Sequence, residues 1–484
     1  MMREWIKGLE ARSAPLDPGP RERAALQDRV LQYADAFLEG LPQRPAFQAT
    51  DDQGAGILDS PLSEGPLGID QVLKLLADHV DHPGVNVGSP GYVAFIPVSG
   101  LYVSALADYL ASVTNRYAGV FFASPGAVRV ERMLLEWMAD FVGYPPTATG
   151  DLTSGGSIAN LVGLVTARDA RDLRARDYHR TVVYLSRQVH HSVDKALRIA
   201  GLEDCIKRYV PLDETYRLHA DSLSEAIADD RREGLDPWAI VASAGTTDSG
   251  AVDPLVDLAE IAEREGLWLH VDGAYGAMFA LCDPRPSVLD GLDRSDSLVL
   301  DPHKGLFMPL GSGAVLVKDG QKQVDAHRYH ASYLQDKDVL ASPGELSPAD
   351  LSPELSRPFR GLRLWLALKL AGVAPFRAAL EEKLLLARYF YEKVQGLEGC
   401  EVGPPPDLSI VPFRFVPPRG DADDFNRRLA EAIQRDGRIF MSSTVIDDHV
   451  TLRMAVLGFR THLDTVDLAL EILKEKAAEV TATA

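Results

Sequence analysis

The sequence predicts an α/β protein: a large domain with a mostly parallel sheet, followed by a smaller α+β C-terminal domain. Between about residues 90 and 375, short β-rich runs alternate with helical runs, which is the pattern of βαβ units in a parallel sheet. A long helical run then leads into a compact α+β pattern. The 484 residues are also too many for one ordinary domain. We therefore expect an N-terminal helical segment over residues 1–85, a large domain over 86–375 and a small domain over 376–484.

The N-terminal segment carries two amphipathic helical patterns, at residues 24–41 and 69–79, with loops rich in proline and glycine around them. Neither helix is expected to bury its apolar face alone. We expect this segment to pack on another part of the molecule or on a partner subunit.

The strands of the large domain are predicted from short apolar and β-branched runs. They are Thr181–Leu185, Trp238–Ala242, Leu267–Val271, Leu298–Leu300 and Ala314–Val317. In such sheets, ligands bind at the carboxyl ends of the strands. In the small domain we expect a helix over 376–396, strands over 410–415 and 450–455, and a last helix from 465 to about 480.

Composition and charge exclude several classes of function. The formal net charge of −20 disfavours binding to nucleic-acid phosphates. No apolar run approaches the roughly 18 residues of a membrane-spanning helix, and the charged N-terminus lacks the apolar core of a signal peptide. Cys205, Cys282 and Cys400 are far apart and odd in number, which predicts no disulfide framework and fits a reducing compartment. The cytoplasm is the expected location.

A glycine-rich segment, T-S-G-G-S at 153–157, precedes a helical run over 158–168. Its paired glycines, Gly155 and Gly156, allow the backbone to approach a ligand closely, and the first amides of a helix attract anions. With the hydroxyl of Ser157, the segment could hold a phosphate. An ordinary turn and helix cap has the same pattern, and no Gly-Lys-Ser/Thr follows that would make it a Walker loop.

Two charged residues follow apolar strands. Asp272, in the H-V-D-G-A-Y block, can pair with a protonated ring nitrogen, and its small neighbours leave space for a flat ring. Lys304, in the D-P-H-K block, lies in an apolar stretch where desolvation would make its amine a nucleophile toward aldehydes. His303 can contact a phosphate. The alternative interpretations are a helix cap or turn for Asp272 and a surface turn for Lys304.

Two adjacent histidines, His190 and His191, follow the strand predicted at 181–185. The flat imidazole of His190 could stack on a cofactor ring. Adjacent histidines also suggest a metal site, but no further ligand lies at a useful spacing, and His327 and His330 lack accompanying carboxylates or cysteines. We expect no metal.

These four features, in their order along one α/β sheet, are the parts of a site for pyridoxal 5'-phosphate (PLP). The lysine binds the cofactor covalently, the aspartate keeps the pyridine nitrogen protonated, the histidine stacks on the ring and the helix amides anchor the phosphate. PLP is an electron sink, and the protein selects which bond to Cα is broken. The combination predicts a PLP enzyme with Lys304 as the covalently bound lysine.

The same residues resemble the group II PLP-dependent amino-acid decarboxylases, the family of the aromatic-L-amino-acid, glutamate and diaminobutyrate decarboxylases. The resemblance runs from about Pro42 to the C-terminal helix. It rests on D-P-H-K at 301–304, H-V-D-G-A-Y at 270–275, His190, A-G-T-T at 244–247 and S-R-P-F-R-G-L-R at 356–363. It implies the aspartate-aminotransferase-like type I fold of PLP-dependent transferases and an obligate homodimer. The N-terminal helices are then expected to pack across the subunits, with the active sites at the interface.

The resemblance also implies roles for single residues. Lys304 corresponds to the Schiff-base lysine, Asp272 to the partner of the pyridine nitrogen and His190 to the stacking histidine. Tyr333 resembles the mobile-loop tyrosine that helps to protonate Cα, and Arg357 a structural arginine near the site, paired with Asp253. The remaining expected cofactor-binding residues are Gly155, Gly156, Ser157, Thr247, Ala274, Ser297 and His303.

Three glycines depart from the family pattern and bear on the substrate. Gly305 stands where many relatives have tryptophan, Gly88 where they have histidine, and Gly119 where aromatic decarboxylases have a bulky aromatic residue. The expected substrate wall, residues 92–98, carries no charge. A charged substrate side chain would need a partner in that wall, so an aromatic or apolar amino acid is favoured. The wall residues expected to contact it are Tyr92, Phe95, Ile96 and Pro97.

We therefore expect decarboxylation of an L-amino acid to the amine and carbon dioxide. Another PLP reaction in the same site is the alternative: decarboxylation with oxidative deamination to an aldehyde, transamination, retro-aldol cleavage, or action on a glutamate- or diaminobutyrate-type substrate. His190 and Tyr333 favour simple decarboxylation. A protein that keeps the fold only for binding is disfavoured, because Lys304, Asp272 and His190 are all present.

Overall fold

The computed structural model describes residues 1–329 and 345–482. Its N-terminal part is helical. Its helices are α1 Met2–Ser13, α2 Pro20–Gly40 and α3 Ile69–Leu76, and a short ribbon pairs β1 Phe47–Gln48 with β2 Gly84–Val85. The two predicted helices are confirmed, and α2 starts at Pro20 because proline suits the first turn of a helix. Every residue of α1 and α2 keeps part of its surface exposed, so these two helices do not form a core by themselves.

Within the described residues, the central sheet has seven strands. They are β3 Thr149–Thr153, β4 Thr181–Leu185, β5 Ile206–Tyr209, β6 Asp236–Ser243, β7 Trp268–Asp272, β8 Ser297–Leu300 and β9 Gly313–Val317. Their order is β3-β9-β8-β7-β6-β4-β5; the strands from β8 to β5 are parallel, and β9 is antiparallel to both neighbours. The mostly parallel sheet and its five predicted strands are confirmed. Strands β3 and β5 were not predicted, because Asp151 interrupts the first and Lys207 and Arg208 the second.

Apolar residues cover both faces of this sheet. Along β4, Val182 and Tyr184 belong to one buried cluster, whereas Val183 and Leu185 belong to a second cluster on the opposite face. Helices cover the two faces, as is usual for parallel sheets. They are α4 Tyr102–Thr114, α5 Pro125–Val142, α6 Gly156–Ala170, α7 His191–Ile199, α8 Ala220–Arg232, α9 Leu255–Glu265, α10 Pro302–Gly305, α11 Gly320–His327 and α12 Gly361–Ala371. Among the described residues, no helix is long and apolar enough to cross a membrane.

The small domain packs helices against an antiparallel sheet of order β10-β11-β13-β12. Its strands are β10 Cys400–Val402, β11 Ile410–Phe415, β12 Ser442–Ile446 and β13 His449–Ala455. Its helices are α13 Ala374–Val394, α14 Ala422–Asp436 and α15 Leu463–Ala482. The two predicted strands and the two predicted helices are confirmed.

Residues 91–95 are attached to the small domain, although they precede the large sheet in the chain. The amide of Phe440 donates to the carbonyl of Gly91 (2.9 Å), and the amide of Ala455 donates to the carbonyl of Val93 (3.0 Å). The expected substrate wall is therefore held by the small domain. The domain boundaries at residues 85 and 375 stay predictions.

Candidate active site

A cavity of about 310 Å³ opens at the carboxyl ends of β6, β7 and β8, beside the first turns of α6 and α7. Segments far apart in the sequence meet there, as expected for a parallel sheet. The lining residues are Ser154, Gly155, Gly156, Ser157, Ile158, Asn160, His190, Ser192, Ser243, Gly245, Thr246, Thr247, Asp272, Ala274, Tyr275, Asp301, His303, Lys304, Leu310 and Gly311.

The loop before α6 forms a cradle of glycines. Gly155 has φ 150° and ψ 174°, a conformation that glycine adopts and other residues avoid. A Cβ atom at Gly313 would lie 2.6 Å from the Cα of Gly155, so the two backbones approach each other closely. The first amides of α6 and the hydroxyl of Ser157 follow directly, and Ser157 lines the cavity. This arrangement suits an anion such as a phosphate.

His303 faces the cradle, since a Cβ atom at Gly155 would lie 3.6 Å from its ring. Its Nδ1 donates to the carbonyl of Ser312 (2.6 Å), and its Nε2 is 3.6 Å from Oδ2 of Asp301. Burial lowers the pKa of His303, and the charge of Asp301 opposes that effect. The Nε2 atom is thus the polar atom of this ring that is available to a ligand.

Lys304 lies on α10, directly after β8, and its Nζ is 3.0 Å from Oδ2 of Asp301. Asp301 is 1% exposed, and within the described residues its Oδ1 has no hydrogen-bond partner. The carboxylate holds the amine of Lys304 at the cavity. Asp301 was not predicted as a site residue, although its position directly after an apolar strand, in the same block as Lys304, could have identified it.

Asp272 is the last residue of β7 and is 7% exposed. Its Oδ1 accepts from the amide of Ala274 (3.1 Å), and its Oδ2 accepts from Nδ2 of Asn160 (2.8 Å). Asn160 is a second residue that was not predicted. It lies inside an apolar helical run, where a single buried amide is the only local signal of a polar partner.

His190 immediately precedes α7, and its Nδ1 accepts from the amide of Ser192 (3.3 Å). Burial lowers the pKa of His190, whereas the charge of Asp272 raises it and that of Lys304 lowers it. His190, Asp272 and Lys304 are therefore close enough to influence one another across the cavity. The structure brings together the residues predicted at the ends of three strands.

One predicted phosphate ligand, Ser297, is wrong. It is the first residue of β8 and therefore lies at the edge of the sheet opposite the carboxyl ends. Its side chain is fully buried, where Oγ accepts from Nε1 of Trp268 (2.9 Å) and contacts Nδ1 of His270 (2.7 Å). Ser297 is thus a buried partner of these two side chains below the cavity.

The expected pairing of Arg357 with Asp253 is also wrong. The guanidinium of Arg357 is buried against two other carboxylates, those of Asp151 and Glu131, with Nη2 2.8 Å from Oε2 of Glu131. Asp253 instead accepts from the amide of Ser243 (2.7 Å), and burial raises its pKa to about 6. Arg357 therefore has a structural role, in which it links Glu131 of α5 to Asp151 of β3.

The four predicted substrate residues do not belong to the described lining of the cavity. Tyr92 is buried and stacks on Phe440, with 6.2 Å between ring centroids. Phe95 has φ 51° and is 53% exposed. Ile96 and Pro97 follow it in the chain, and their contacts with substrate stay predictions. Tyr333 lies outside the described residues.

The glycines that depart from the family pattern are packed against protein atoms. A Cβ atom at Gly119 would lie 1.9 Å from the carbonyl oxygen of Leu355, and one at Gly305 would lie 2.3 Å from the Cβ of Met278. A Cβ atom at Gly88 would lie 3.2 Å from Leu41. These glycines do not line the described cavity, so they accommodate neighbouring chain segments and do not enlarge it.

The residues present fit pyridoxal phosphate. A Cβ atom at Gly156 would lie 3.1 Å from Asp301 and 3.2 Å from Ala274, so a glycine there keeps the cradle open for a ligand. The cavity offers an anion cradle, a buried carboxylate, an amine and a stacking imidazole, which match the phosphate, ring nitrogen, aldehyde and ring of the cofactor.

A family model described as the pyridoxal-dependent decarboxylase conserved domain matches residues 56–416, which is more than half of the chain. This chain belongs to the pyridoxal-dependent decarboxylase family. PLP is therefore its cofactor, and the enzyme is a PLP-dependent amino-acid decarboxylase with the predicted type I fold. The roles of single residues in the cavity stay predictions.

Relatives of known name match nearly the whole chain. An aromatic-L-amino-acid decarboxylase from Bacillus atrophaeus is 36% identical over 414 residues, covering 85% of this chain and 86% of the relative. A phenylacetaldehyde synthase from Petunia hybrida is 31% identical over 437 residues, covering 85% of each chain. The crystal structure of Oryza sativa TDC with PLP and tryptamine has a TM-score of 0.90 at 28% identity, covering 96% of this chain and 99% of that one.

Proposed function

We propose that this enzyme converts an aromatic L-amino acid to the corresponding amine and carbon dioxide. The observation that carries the proposal is the uncharged character of residues 92–98, which we expect to contact the substrate from beside the described cavity lining. The rings of Tyr92 and Phe95 in this segment each lie 6.2 Å from the ring of Phe440. An aromatic side chain would gain apolar contact there, whereas a charged one would lose hydration without a partner. The name of the Bacillus atrophaeus relative supports the same substrate class.

The buried cation beside this wall, Arg453, is directed at the protein itself. It donates to the carbonyls of Phe95 (3.0 Å) and Asp248 (2.9 Å) and to the hydroxyl of Ser442 (3.0 Å). Through these bonds the guanidinium of Arg453 links Phe95 of the wall to Asp248 of the loop after β6. A glutamate-type substrate is disfavoured, because this cation already has its acceptors.

PLP supplies an electron sink for the electron pair that is released when the bond between Cα and the carboxylate breaks. Lys304 would hold its aldehyde group, and Asp272 would hold a proton at its ring nitrogen. Asp301 keeps the amine of Lys304 at the cavity. The other residues that would hold the cofactor are His190 and Ala274 at the ring, Thr247 beside the ring hydroxyl, and Gly155, Gly156, Ser157 and His303 at the phosphate.

A second candidate product is the aldehyde, which the similarity to the Petunia hybrida phenylacetaldehyde synthase favours. The two outcomes differ in whether Cα receives a proton after carbon dioxide leaves or reacts with dioxygen. A tyrosine at position 333 supports the amine, because a phenol hydroxyl can donate that proton. Amine formation is therefore the main proposal.

The test is a substrate screen with the purified holoenzyme. Phenylalanine, tyrosine, tryptophan, glutamate, ornithine and 2,4-diaminobutyrate are supplied separately, and carbon dioxide, amine, aldehyde and peroxide are measured. We expect equal amounts of carbon dioxide and amine from at least one aromatic substrate, with kcat/KM lower by about 100-fold or more for the charged ones. Preference for a charged substrate, or aldehyde with peroxide as the main products, would contradict the proposal.

We also propose that the enzyme is a cytoplasmic homodimer. Leu106, Tyr109, Leu110 and Val113 form an exposed apolar stripe along α4, and Gln27 of α2 donates to the hydroxyl of Tyr109 (2.6 Å). Such a stripe requires a cover, which a second copy of the chain would supply. The three free cysteines support a reducing compartment. Sedimentation should show a dimer for the wild type and a shift toward monomer for Leu110→Glu; a monomeric wild type would contradict the proposal.

A further inference from the structure

Asn160 lines the floor of the cavity, and both the nitrogen and the oxygen of its side-chain amide are hydrogen-bonded to protein groups. It is 1% exposed, on the second turn of α6. Its Nδ2 donates to Oδ2 of Asp272 (2.8 Å) and to Oγ of Ser192 (3.0 Å), and its Oδ1 accepts from Nε2 of His270 (2.8 Å). One amide therefore joins three elements: β7 through Asp272 and His270, α7 through Ser192, and α6.

The hydrogen bonds that join Asp272, Asn160 and His270 form one branch of this network, the His270 branch. The proton positions in it follow from Asp272, whose carboxylate is an acceptor. A carboxylate only accepts, so the nitrogen end of Asn160 faces Asp272 and the oxygen end faces His270. His270 must then carry its proton on Nε2, and its Nδ1 accepts from Oγ of Ser297 (2.7 Å). Burial lowers the pKa of His270 to about 4, which keeps the ring neutral and consistent with a single donated proton. Asp272 is thus held by a neutral amide, and its negative charge is left for a ligand.

The hydrogen bonds that join Asn160, Ser192 and His190 form the second branch, the His190 branch. The position of the His190 ring proton follows from its donors in the same way. The amide of Ser192 donates to Nδ1 of His190 (3.3 Å), so Nδ1 is an acceptor. The hydroxyl of Ser192 accepts from Asn160 and is 2.7 Å from the same Nδ1, so its own proton points at His190. His190 therefore carries its proton on Nε2 when neutral. Asn160 favours this form because its bond to one of the two lone pairs of Ser192 Oγ orients the hydroxyl with its proton toward Nδ1.

We propose that Asn160 is a positioning residue that fixes the carboxylate of Asp272 and the Nε2-protonated form of His190 through one buried amide. The inference rests on the proposed function, in which Asp272 and His190 face the cofactor ring. It adds a residue at the floor of the cavity that acts through both of the side chains assigned to that ring. The competing explanation is that Asn160 only fills space below β7.

The central variant is Asn160→Leu, which keeps nearly the same shape and removes every hydrogen bond. Two readouts are taken on the holoenzyme: the apparent Kd for pyridoxal phosphate, and the tautomer of His190 from ¹⁵N-labelled histidine spectra, assigned by comparison with His190→Gln. Because a hydrogen bond to a charged group is lost, we expect Kd to rise by about 10- to 100-fold. We also expect His190 to change from the Nε2-protonated form to a mixture of both forms.

Ser192→Ala separates the two branches, because it removes the hydroxyl link to His190 and leaves the bond between Asn160 and Asp272. It should weaken the preference of His190 for the Nε2-protonated form, which then depends on the backbone amide of residue 192 alone, while raising Kd by less than about threefold. Asn160→Ala is the second test at position 160, in case leucine prevents folding, and it should reproduce both effects of Asn160→Leu.

The proposal is overturned if a folded Asn160 variant keeps the wild-type Kd within a factor of two, or if Kd rises while the His190 tautomer stays wild-type. Neither readout uses turnover. A wild-type enzyme that fails to decarboxylate aromatic amino acids would therefore refute the proposed function without deciding the role of Asn160.

Discussion

The side of this site that we expect to face the cofactor and the side that we expect to face the substrate are built in different ways. On the cofactor side, Asp272 ends one strand of the sheet and Lys304 follows the neighbouring strand. Each has a partner within 3.0 Å, Asn160 for Asp272 and Asp301 for Lys304. On the substrate side, residues 92–98 are held by the small domain, and Phe95 is 53% exposed. The cofactor side is preorganised within one domain, whereas the substrate side depends on how separate segments come together.

Replacement of Lys304 by alanine should have the largest effect, because it removes the one amine that lines the cavity in the described part of the chain. We expect turnover to fall by about 10³-fold or more, with loss of the covalently bound cofactor and an unchanged fold. Steady-state kinetics and the absorbance of the bound cofactor measure this. Lys195→Ala, an exposed change on α7, is the matched control. Turnover in Lys304→Ala close to wild type would remove this residue from the site.

Asp272→Asn should have the next largest effect and tests whether the cofactor side depends on charge. The variant keeps the shape but not the negative charge that would pair with the ring nitrogen. Breaking a buried charge pair costs about 3–5 kcal/mol, which corresponds to about 10²-fold or more in turnover if most of it is felt in the transition state. Asp296→Asn is the control, because Asp296 is a carboxylate at the opposite edge of the sheet, accepting from the amide of Leu269 (2.8 Å). Equal effects of the two changes would contradict a specific role for Asp272.

Tyr333→Phe tests the choice of product and should have an intermediate effect. The ring is kept and the phenol proton is lost, so amine formation should fall by about tenfold or more while oxygen-dependent aldehyde and peroxide appear. Amine, aldehyde and peroxide are measured with and without oxygen. Wild-type amine production without aldehyde would show that Tyr333 is not the proton donor, and simple decarboxylation would lose its main support at the level of single residues.

Phe95→Ala should have the smallest effect and acts only on the substrate side. Loss of an aromatic contact should raise KM for an aromatic substrate by about tenfold, with the apparent Kd for pyridoxal phosphate unchanged. Val445→Ala, another exposed apolar residue of the small-domain side, is the control and should change neither. A change in cofactor affinity without a change in KM would show that the two sides of the site are not separable in this way.

Sequence alone was sufficient to bring Asp272 and Lys304 to the cavity, because the signal for their position is local. Each of the residues Asp272 and Lys304 is in a short block after an apolar strand, and the carboxyl ends of parallel strands meet at one edge of the sheet. Asn160 was not predicted, because its partner His270 is 110 positions away and a single amide in an apolar helical run does not identify that partner. Ser297 was wrongly predicted as a phosphate ligand. It is the first residue of β8, and the first residue of a parallel strand lies at the end of the sheet opposite the ligand.

The fold was predicted from alternating apolar runs. The errors of that prediction, and of the interpretation of the glycines, arise where contacts between distant segments decide the structure. Strands β3 and β5 carry polar residues within short runs, so only their hydrogen bonds to neighbouring strands define them. Gly119 and Gly305 were interpreted as substrate determinants, but backbone and side-chain atoms of Leu355 and Met278 occupy the space beside them. Close approach of segments distant in the sequence is a tertiary property that composition does not encode.

The most direct test of the central claim is to identify the lysine that carries the cofactor. The holoenzyme is reduced with borohydride, digested and mapped by mass spectrometry, with Lys304→Ala treated in parallel. The account predicts a single pyridoxyl label on the peptide that contains Lys304 and no specific label in the variant. A label on any other lysine, at comparable yield in both proteins, would contradict the assignment of the cavity at the ends of β6, β7 and β8 as the active site.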